Sequence, residues 1–189
     1  MTKLRKLFSK DKFFGSTSGL EGQLSIEERK LLYTTALETK PELSLECGTW
    51  KGLGSTFFIA EALKKNNKGH LHTFEVDPEL HATAVKCLKK KKVDSYVTCH
   101  LADFLTTVKS MHFKRVGFVF LDGPEDAEYQ LQCLTYLESV MTEGGVVFLH
   151  DTKKEKCRLV HSHVASNPVW RKFVELDTST GMMGLRFTR

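Results

Sequence analysis

Short apolar runs alternate with longer amphipathic stretches through most of this 189-residue chain. Stretches with helical periodicity lie between the runs, at 54–66, 78–91, 103–110, 126–141 and 153–166. The runs themselves are LSLEC (43–47), LHTFEV (71–76), YVTCHL (96–101), VGFVFLD (116–122) and VVFLHD (146–151). Near-continuous apolar strands separated by helices predict a parallel sheet covered on both faces, which is a Rossmann-like three-layer α/β sandwich.

The pattern changes after the fifth run. VWRKFVEL (169–176) and MMGLRFTR (182–189) are joined by DTSTG with no helix between them, which predicts an antiparallel hairpin. The expected fold is therefore a mostly parallel seven-stranded sheet that closes on a C-terminal antiparallel hairpin. Ahead of the first run, Ser25 and Glu28 stand at capping-box spacing, and Pro41 should end that helix at Lys40.

Length and composition exclude several classes of protein. The chain fits one domain, and its five cysteines, an odd number without a C-x-x-C pair, argue against a disulfide framework and favour a reducing, cytoplasmic compartment. No apolar run approaches the ~20 residues that span a bilayer, and the basic N-terminus lacks the apolar segment of a secretion signal. The net charge of +5 lies mainly in that N-terminus and in the lysines at 89–92, without interleaved aromatic residues, so we expect no nucleic-acid partner.

The first three strand ends carry residues suited to a nucleoside, and ligands of open parallel sheets bind at those ends. The loop ECGTWKGLGS (46–55) has the spacing G-x-x-x-G-x-G, whereas a dinucleotide loop more often has G-x-G-x-x-G. Glu75 ends the second run and is placed to accept hydrogen bonds from ribose hydroxyls, while Asp77 resembles a helix cap. Asp103 and Phe104 follow the third run, where the acid could accept from an adenine amine or cap the next helix.

These motifs resemble those of the class I S-adenosylmethionine (SAM)-dependent methyltransferases. ECGTWKGLGS, TFEVDPE and HLADF match the first three motifs, and GMMGLRF is similar to the last strand of that fold. The resemblance runs from about Leu43 to Arg189 and is greatest to small catechol-type O-methyltransferases and their relatives with a strand ending in His-Asp. It implies that SAM is the cofactor. The implied contacts are Glu46, Gly48, Gly52 and Ser55 to its methionine and ribose portion, Glu75 to the ribose, and Asp103 with Phe104 to the adenine.

The fourth and fifth strand ends bear on the reaction. Neighbouring strands lie ~4.8 Å apart, and alternation predicts that Asp122 and Asp151 share one side of the crevice while His150 points to the other face. Two converging carboxylates, with Thr152 as a weaker ligand, suit Mg²⁺ or Ca²⁺, which would lower the pKa of an acceptor hydroxyl. Without a metal, His150 is the first candidate general base and Asp151 the second, and Asp122 could also hold the ammonium of the cofactor.

Two positions depart from the metal-dependent catechol-type pattern. Those enzymes carry Asn after the second Asp and Lys three positions after the first, and this chain has Thr152 and Glu125 there. The expected function is O-methylation of a hydroxyl on a small molecule. A catalytically silent methyltransferase-fold binding module and a dinucleotide-dependent oxidoreductase remain the alternatives.

The chain should divide into an N-terminal arm and helix over 1–40 and a methyltransferase domain over 41–189. Leu4, Leu7 and Phe8 stand at helical spacing among basic residues, which favours docking on a partner subunit or at the substrate mouth over contact with an anionic membrane. A domain this short leaves little material for a lid, which is compatible with a homodimer.

Overall fold

The computed structural model describes residues 11–15 and 24–189. Leu4, Leu7 and Phe8 of the proposed arm lie outside the described residues. The elements follow one another in this order: α1 (Asp11–Phe14), α2 (Ile26–Thr39), β1 (Leu43–Cys47), α3 (Ser55–Asn66), β2 (His70–Glu75), α4 (Pro78–Lys90), a 3₁₀ turn (Asp94–Tyr96), β3 (Val97–Leu101), α5 (Phe104–Met111), β4 (Val116–Leu121), α6 (Ala127–Val140), β5 (Met141–His150), a second 3₁₀ turn (Glu155–Cys157), α7 (Arg158–Ser166), β6 (Trp170–Leu176) and β7 (Met182–Phe187).

The seven strands form one sheet in the order β3-β2-β1-β4-β5-β7-β6. The strands from β3 to β5 are parallel, and β7 pairs antiparallel with both β5 and β6. The predicted mostly parallel sheet with a closing hairpin is therefore confirmed. Because the five strands from β3 to β5 in this order run in the same direction, their carboxyl ends lie along one edge of the sheet. β1 and β4 lie in the middle of these five strands or next to it.

Two boundaries differ from the sequence prediction by five residues, whereas the others agree to within two. β5 begins at Met141 instead of at 146, because its first residues continue the pairing with β4 across a register shift. The helix expected over 153–166 is divided into a 3₁₀ turn and α7, which begins at Arg158.

The predicted capping box of α2 is present. The Ser25 hydroxyl accepts from the Glu28 amide at 3.2 Å, and the Glu28 carboxylate accepts from the Ser25 amide at 2.7 Å. The helix ends at Thr39, where Lys40 adopts a left-handed φ of 48° ahead of Pro41. Asp77 caps α4 through the amides of Glu79 and Leu80.

The core has one apolar cluster on each face of the sheet. One cluster joins the sheet to α5, α6 and α7 through residues such as Val108, Leu137 and Val160. The other joins it to α2, α3 and α4 and includes Leu32, Leu63 and Leu88, as well as Phe14 of α1. No helix in the described part of the chain has the length and apolar character needed to cross a membrane.

Candidate active site

A cavity of about 470 Å³ opens at the carboxyl ends of the parallel strands. Its wall includes Glu75, the last residue of β2, and Asp103, which follows β3, and also His150 and Asp151 at the end of β5. The volume lies within the ~300–1,000 Å³ range of small-molecule sites. One cavity thus spans the strand ends that the sequence singled out.

Glu75 is held at the last position of β2 by three backbone amides. Its Oε2 accepts from the Trp50 amide at 2.8 Å, and its Oε1 accepts from the amides of Val76 and Asp77 at 3.0 and 3.1 Å. Since a carboxylate offers about four lone-pair sites, acceptor capacity remains for a ligand. The loop after β1 and the start of α4 therefore fix the orientation of this carboxylate.

Asp103 both caps α5 and faces the cavity. Its Oδ1 accepts from the Thr106 amide at 2.8 Å, and its Oδ2 accepts from the Tyr129 hydroxyl at 2.6 Å. Although burial on its own raises the pKa of Asp103, the hydrogen bonds from Tyr129 and Thr106 lower it overall. Phe104 also lines the cavity. No sequence motif indicated Tyr129, because α6 brings it to Asp103 from 26 positions further along the chain.

The first glycine of the loop approaches β4 closely. Gly48 has a φ of 95°, and a Cβ atom there would lie 2.4 Å from the Asp122 carbonyl oxygen. Gly48 and Ser55 line the cavity, whereas Gly52 turns with a φ of 74° against Ala84 of α4 and does not line it. Position 48 therefore requires glycine, because a side chain there would clash with the Asp122 carbonyl and push the loop after β1 away from the end of β4.

Glu46 lies beneath the loop and does not line the cavity. It is fully buried, and its Oε2 accepts from the hydroxyls of Thr56 and Thr73, both at 2.6 Å. Burial raises the pKa of Glu46 to about 7, against the opposing effect of hydrogen bonds from Ser55, Thr56 and Thr73. Its direct contact with a cofactor stays a prediction, and the observed bonds tie β1 to β2 and α3.

His150 does not point away from the two aspartates, and that expectation is wrong. Its Nδ1 lies 3.3 Å from Asp122 Oδ2 and 3.4 Å from Asp151 Oδ1. β5 ends at His150, and Asp151 takes a left-handed φ of 59°, so the alternation that holds within a strand fails at this step. All three side chains line the cavity.

The other ring nitrogen of His150 faces α2. Nε2 lies 3.6 Å from Glu28 Oε2, and the opposite oxygen of Glu28 accepts from the Thr178 hydroxyl at 2.5 Å. Burial alone lowers the pKa of His150, but the carboxylates of Asp122 and Glu28 raise it to about 9. Sequence reasoning found Glu28 only as a helix cap and missed its contact with His150.

Two lysines from the segment after β5 contact the aspartates. Lys156 is 2% exposed, and its Nζ lies 2.9 Å from Asp151 Oδ2 and 3.2 Å from Asp122 Oδ1. Lys154 Nζ bridges Asp151 Oδ2 at 2.8 Å and Glu125 Oε1 at 3.0 Å. Burial alone would raise the pKa of Asp151, but the two lysines lower it to about 2. Sequence reasoning missed Lys156, whose buried position no motif signals.

These contacts do not fit a hard divalent cation. One ligand atom from each of Asp122, His150 and Asp151 lies within 4.8 Å of the others, which is close enough for a metal. However, both carboxylates are already bonded to ammonium groups, and Mg²⁺ and Ca²⁺ require oxygen ligands. Thr152 does not line the cavity, and its amide donates to Gly181 in the turn before β7.

Comparison with solved structures finds the same fold at low sequence identity. The O-methyltransferase TomG of Streptomyces achromogenes, involved in tomaymycin synthesis and solved in complex with SAM, is 21% identical with a TM-score of 0.74, covering 100% of this chain and 91% of its own. An O-methyltransferase of Bacillus cereus in complex with SAH is 16% identical with a TM-score of 0.72, covering 98% and 91%. Cofactor-bound Rv0187 from MTB is 18% identical with a TM-score of 0.78, covering 98% and 89%.

Sequence comparison identifies the family. A search of curated proteins found no match. A family model described as a methyltransferase domain matches residues 45–152, which is more than half of the chain and includes every strand end described above from β1 to β5. The chain therefore belongs to the class I SAM-dependent methyltransferases.

Proposed function

We propose that this protein transfers the methyl group of SAM to a hydroxyl group of a small molecule. The observation that carries the proposal is that one cavity is lined both by Glu75 and Asp103, two acids placed to bind a nucleoside, and by a charged cluster. That cluster consists of His150 with Asp122, Asp151, Lys154 and Lys156. A cofactor and an acceptor can meet in such a cavity without a second domain.

The cofactor half follows from the fixed carboxylates. Glu75 would accept from the ribose hydroxyls, since three amides already orient it, and Asp103 and Phe104 would contact the adenine. The methionine portion would pass Gly48, which lines the cavity beside Asp122, and its ammonium would approach the Asp122 carboxylate.

The acceptor half needs few groups. Bound SAM supplies an activated methyl group with its own leaving group, so the protein has to align the nucleophile and exclude water. We assign His150 as the group that takes the hydroxyl proton, because it lines the cavity and is oriented by Glu28 and Asp122 on opposite ring nitrogens. With a pKa of about 9, His150 carries a proton at neutral pH, so turnover should increase toward alkaline pH.

Two measurements test the proposal. Isothermal calorimetry should detect binding of SAH and none of NADH, and mass spectrometry should detect methyl transfer to members of a panel of catechols and phenols. His150→Gln should retain SAH affinity and lose ~10²–10⁴-fold in turnover, the usual contribution of a general base. His161→Gln is the matched control, since His161 on α7 does not line the cavity and, among the described residues, bonds the Thr152 carbonyl. Equal turnover of the two variants would remove His150 from the mechanism, and NADH binding without SAH binding would overturn the cofactor assignment.

A catalytically silent binding module is the second candidate. The observation favouring it is that both aspartates of the cluster already have lysine partners, which leaves fewer free groups for an acceptor. SAH binding with no transfer to any member of the panel would support it.

A further inference from the structure

The Lys156 side chain occupies the space between the two aspartates at the ends of β4 and β5. Its ammonium lies 3.2 Å from Asp122 Oδ1, 2.9 Å from Asp151 Oδ2 and 3.3 Å from the Gly123 carbonyl oxygen. The side chain is 1% exposed, so solvent does not compete for these contacts. An ammonium group has three N–H donors, and three protein oxygens surround this one.

The same oxygens are those that a divalent cation would need. Mg²⁺ and Ca²⁺ bind carboxylate oxygens at about 2.0–2.6 Å, and a cation between the two aspartates would meet the Lys156 ammonium at the same place. Lys154 adds a second positive charge on Asp151 Oδ2 at 2.8 Å. A metal could therefore enter only by expelling a buried lysine and approaching a second one.

The positive charge between Asp122 and Asp151 comes from the 3₁₀ turn after β5, which the sequence did not predict. Position 125, three residues after Asp122, holds Glu, and its carboxylate lies 3.8 Å from the Lys156 ammonium and 3.0 Å from that of Lys154. Lys156 reaches Asp122 from 34 positions further along the chain, in the 3₁₀ turn that divides the predicted last helix. The turn thus places a fixed positive charge where the aspartates converge.

We propose that the Lys156 ammonium takes the place of a divalent cation between Asp122 and Asp151, so that this protein works without a bound metal. The absence of a metal from the reaction rests on the proposed methyl transfer, whereas the exclusion of a divalent cation by Lys156 does not depend on it. Because three protein oxygens surround the ammonium, Lys156 is a positioning residue that holds the two carboxylates beside His150, and it does not activate the acceptor.

Mn²⁺ binding, measured by electron paramagnetic resonance, tests the proposal without requiring turnover. The wild-type protein should bind no Mn²⁺ at this site at millimolar metal. Lys156→Met, which keeps an unbranched side chain of nearly the same length and removes its charge, should gain one Mn²⁺ per polypeptide, and adding Asp122→Asn should abolish the gain. Lys153→Met is the matched control, since Lys153 pairs with Asp177 and should gain no metal.

Two results would overturn the proposal. One is stoichiometric Mn²⁺ binding by the wild-type protein that Asp122→Asn removes. The other is a folded Lys156→Met protein, verified by its thermal melting transition, that binds no more Mn²⁺ than the wild type. If Lys156→Met does not fold, the wild-type measurement and the same comparison with Lys156→Gln decide. If SAH binding or methyl transfer fails while these metal results hold, the proposed function is wrong and the assignment of Lys156 stands.

Discussion

The position of Glu75 makes ribose recognition testable by a single isosteric substitution. Glu75→Gln keeps the shape of the side chain and replaces one carboxylate oxygen by an NH₂ group. Because both carboxylate oxygens accept from backbone amides, the new NH₂ group must face a backbone donor whichever oxygen it replaces, and the oxygen that remains is a neutral acceptor for the ribose hydroxyls. The variant therefore loses at least one hydrogen bond to a charged acceptor.

The size of the effect follows from that loss. A hydrogen bond to a charged group contributes about 1.5–3 kcal/mol, which corresponds to a decrease of about 10- to 150-fold in SAH affinity. Isothermal calorimetry measures it directly. Glu79→Gln is the matched control, because Glu79 is an exposed acid in the first turn of α4 that does not line the cavity.

A ligand substitution separates direct contact from loop distortion. A 2′-deoxyribose analogue of SAH should bind the wild-type protein more weakly than SAH does, and Glu75→Gln should discriminate less between the two ligands. If Glu75→Gln and Glu79→Gln bind SAH equally well, the reasoning that places the ribose at Glu75 is refuted. Equal discrimination by the variant and the wild type would assign the loss to the loop instead.

Three further predictions concern stability. Tyr129→Phe should lower the free energy of unfolding in urea by about 1.5–3 kcal/mol, because it removes the charge-assisted hydrogen bond to Asp103. Gly48→Ala should cost about 1–3 kcal/mol of overpacking against the Asp122 carbonyl, in addition to about 1–2 kcal/mol for a side chain at positive φ, measured in the same way. Burial, and then the neighbouring imidazoles, lower the pKa of His72 to about 4. The contribution of neutral His72 to stability is thus present above pH ~6.5 and lost as the pH falls toward 4. His72→Phe should therefore reduce the dependence of the free energy of unfolding on pH in this range.

Each of these variants has an internal comparison. Tyr136 joins the same two helices through a neutral carbonyl of Val108, so Tyr136→Phe should cost only about 0.5–1.5 kcal/mol. Gly144 has a φ of 75° with no atom within 4 Å of an added Cβ, so Gly144→Ala isolates the backbone strain. His112→Gln, which replaces an exposed histidine, is the control variant for His72→Phe. If Tyr129→Phe lowers the free energy of unfolding no more than Tyr136→Phe does, the charge-assisted bond to Asp103 is contradicted. If Gly48→Ala is as stable as Gly144→Ala, the close approach of Gly48 to the Asp122 carbonyl is contradicted.

The strands and the helix caps were predictable because their signals are local. Period and turn residues determine where an apolar run becomes a strand, and Ser25 and Glu28 satisfy each other within one helical turn. The adjacency of the fourth and fifth strands followed from the resemblance, and β4 and β5 are neighbours in the sheet. The early start of β5 was not predictable, since the polar residues after Met141 carry no strand signal.

The charged cluster was only half predictable, for a different reason. The adjacency of β4 and β5 predicted that Asp122 and Asp151 would lie close together, and both carboxylates contact the Lys156 ammonium. The orientation of His150 depended on the φ of the following residue, and a rule that holds inside a strand failed one residue beyond it. The position of Lys156 was not predictable, because it lies in a 3₁₀ turn where the periodicity of the sequence indicated a continuous helix.

The contact between Glu28 and His150 also bears on the division of the chain at position 40. Glu28 belongs to the helix before β1, is 1% exposed, and joins His150 to the Thr178 hydroxyl in the turn between β6 and β7. α2 also contributes Leu32 and Tyr33 to one of the two core clusters. Because His150 has carboxylates near both of its ring nitrogens only when α2 is docked, the His150 end of the cavity is built jointly by α2, the end of β5 and the turn between β6 and β7. The proposed boundary at residue 40 therefore separates sequence motifs, while the charged cluster depends on both sides of it.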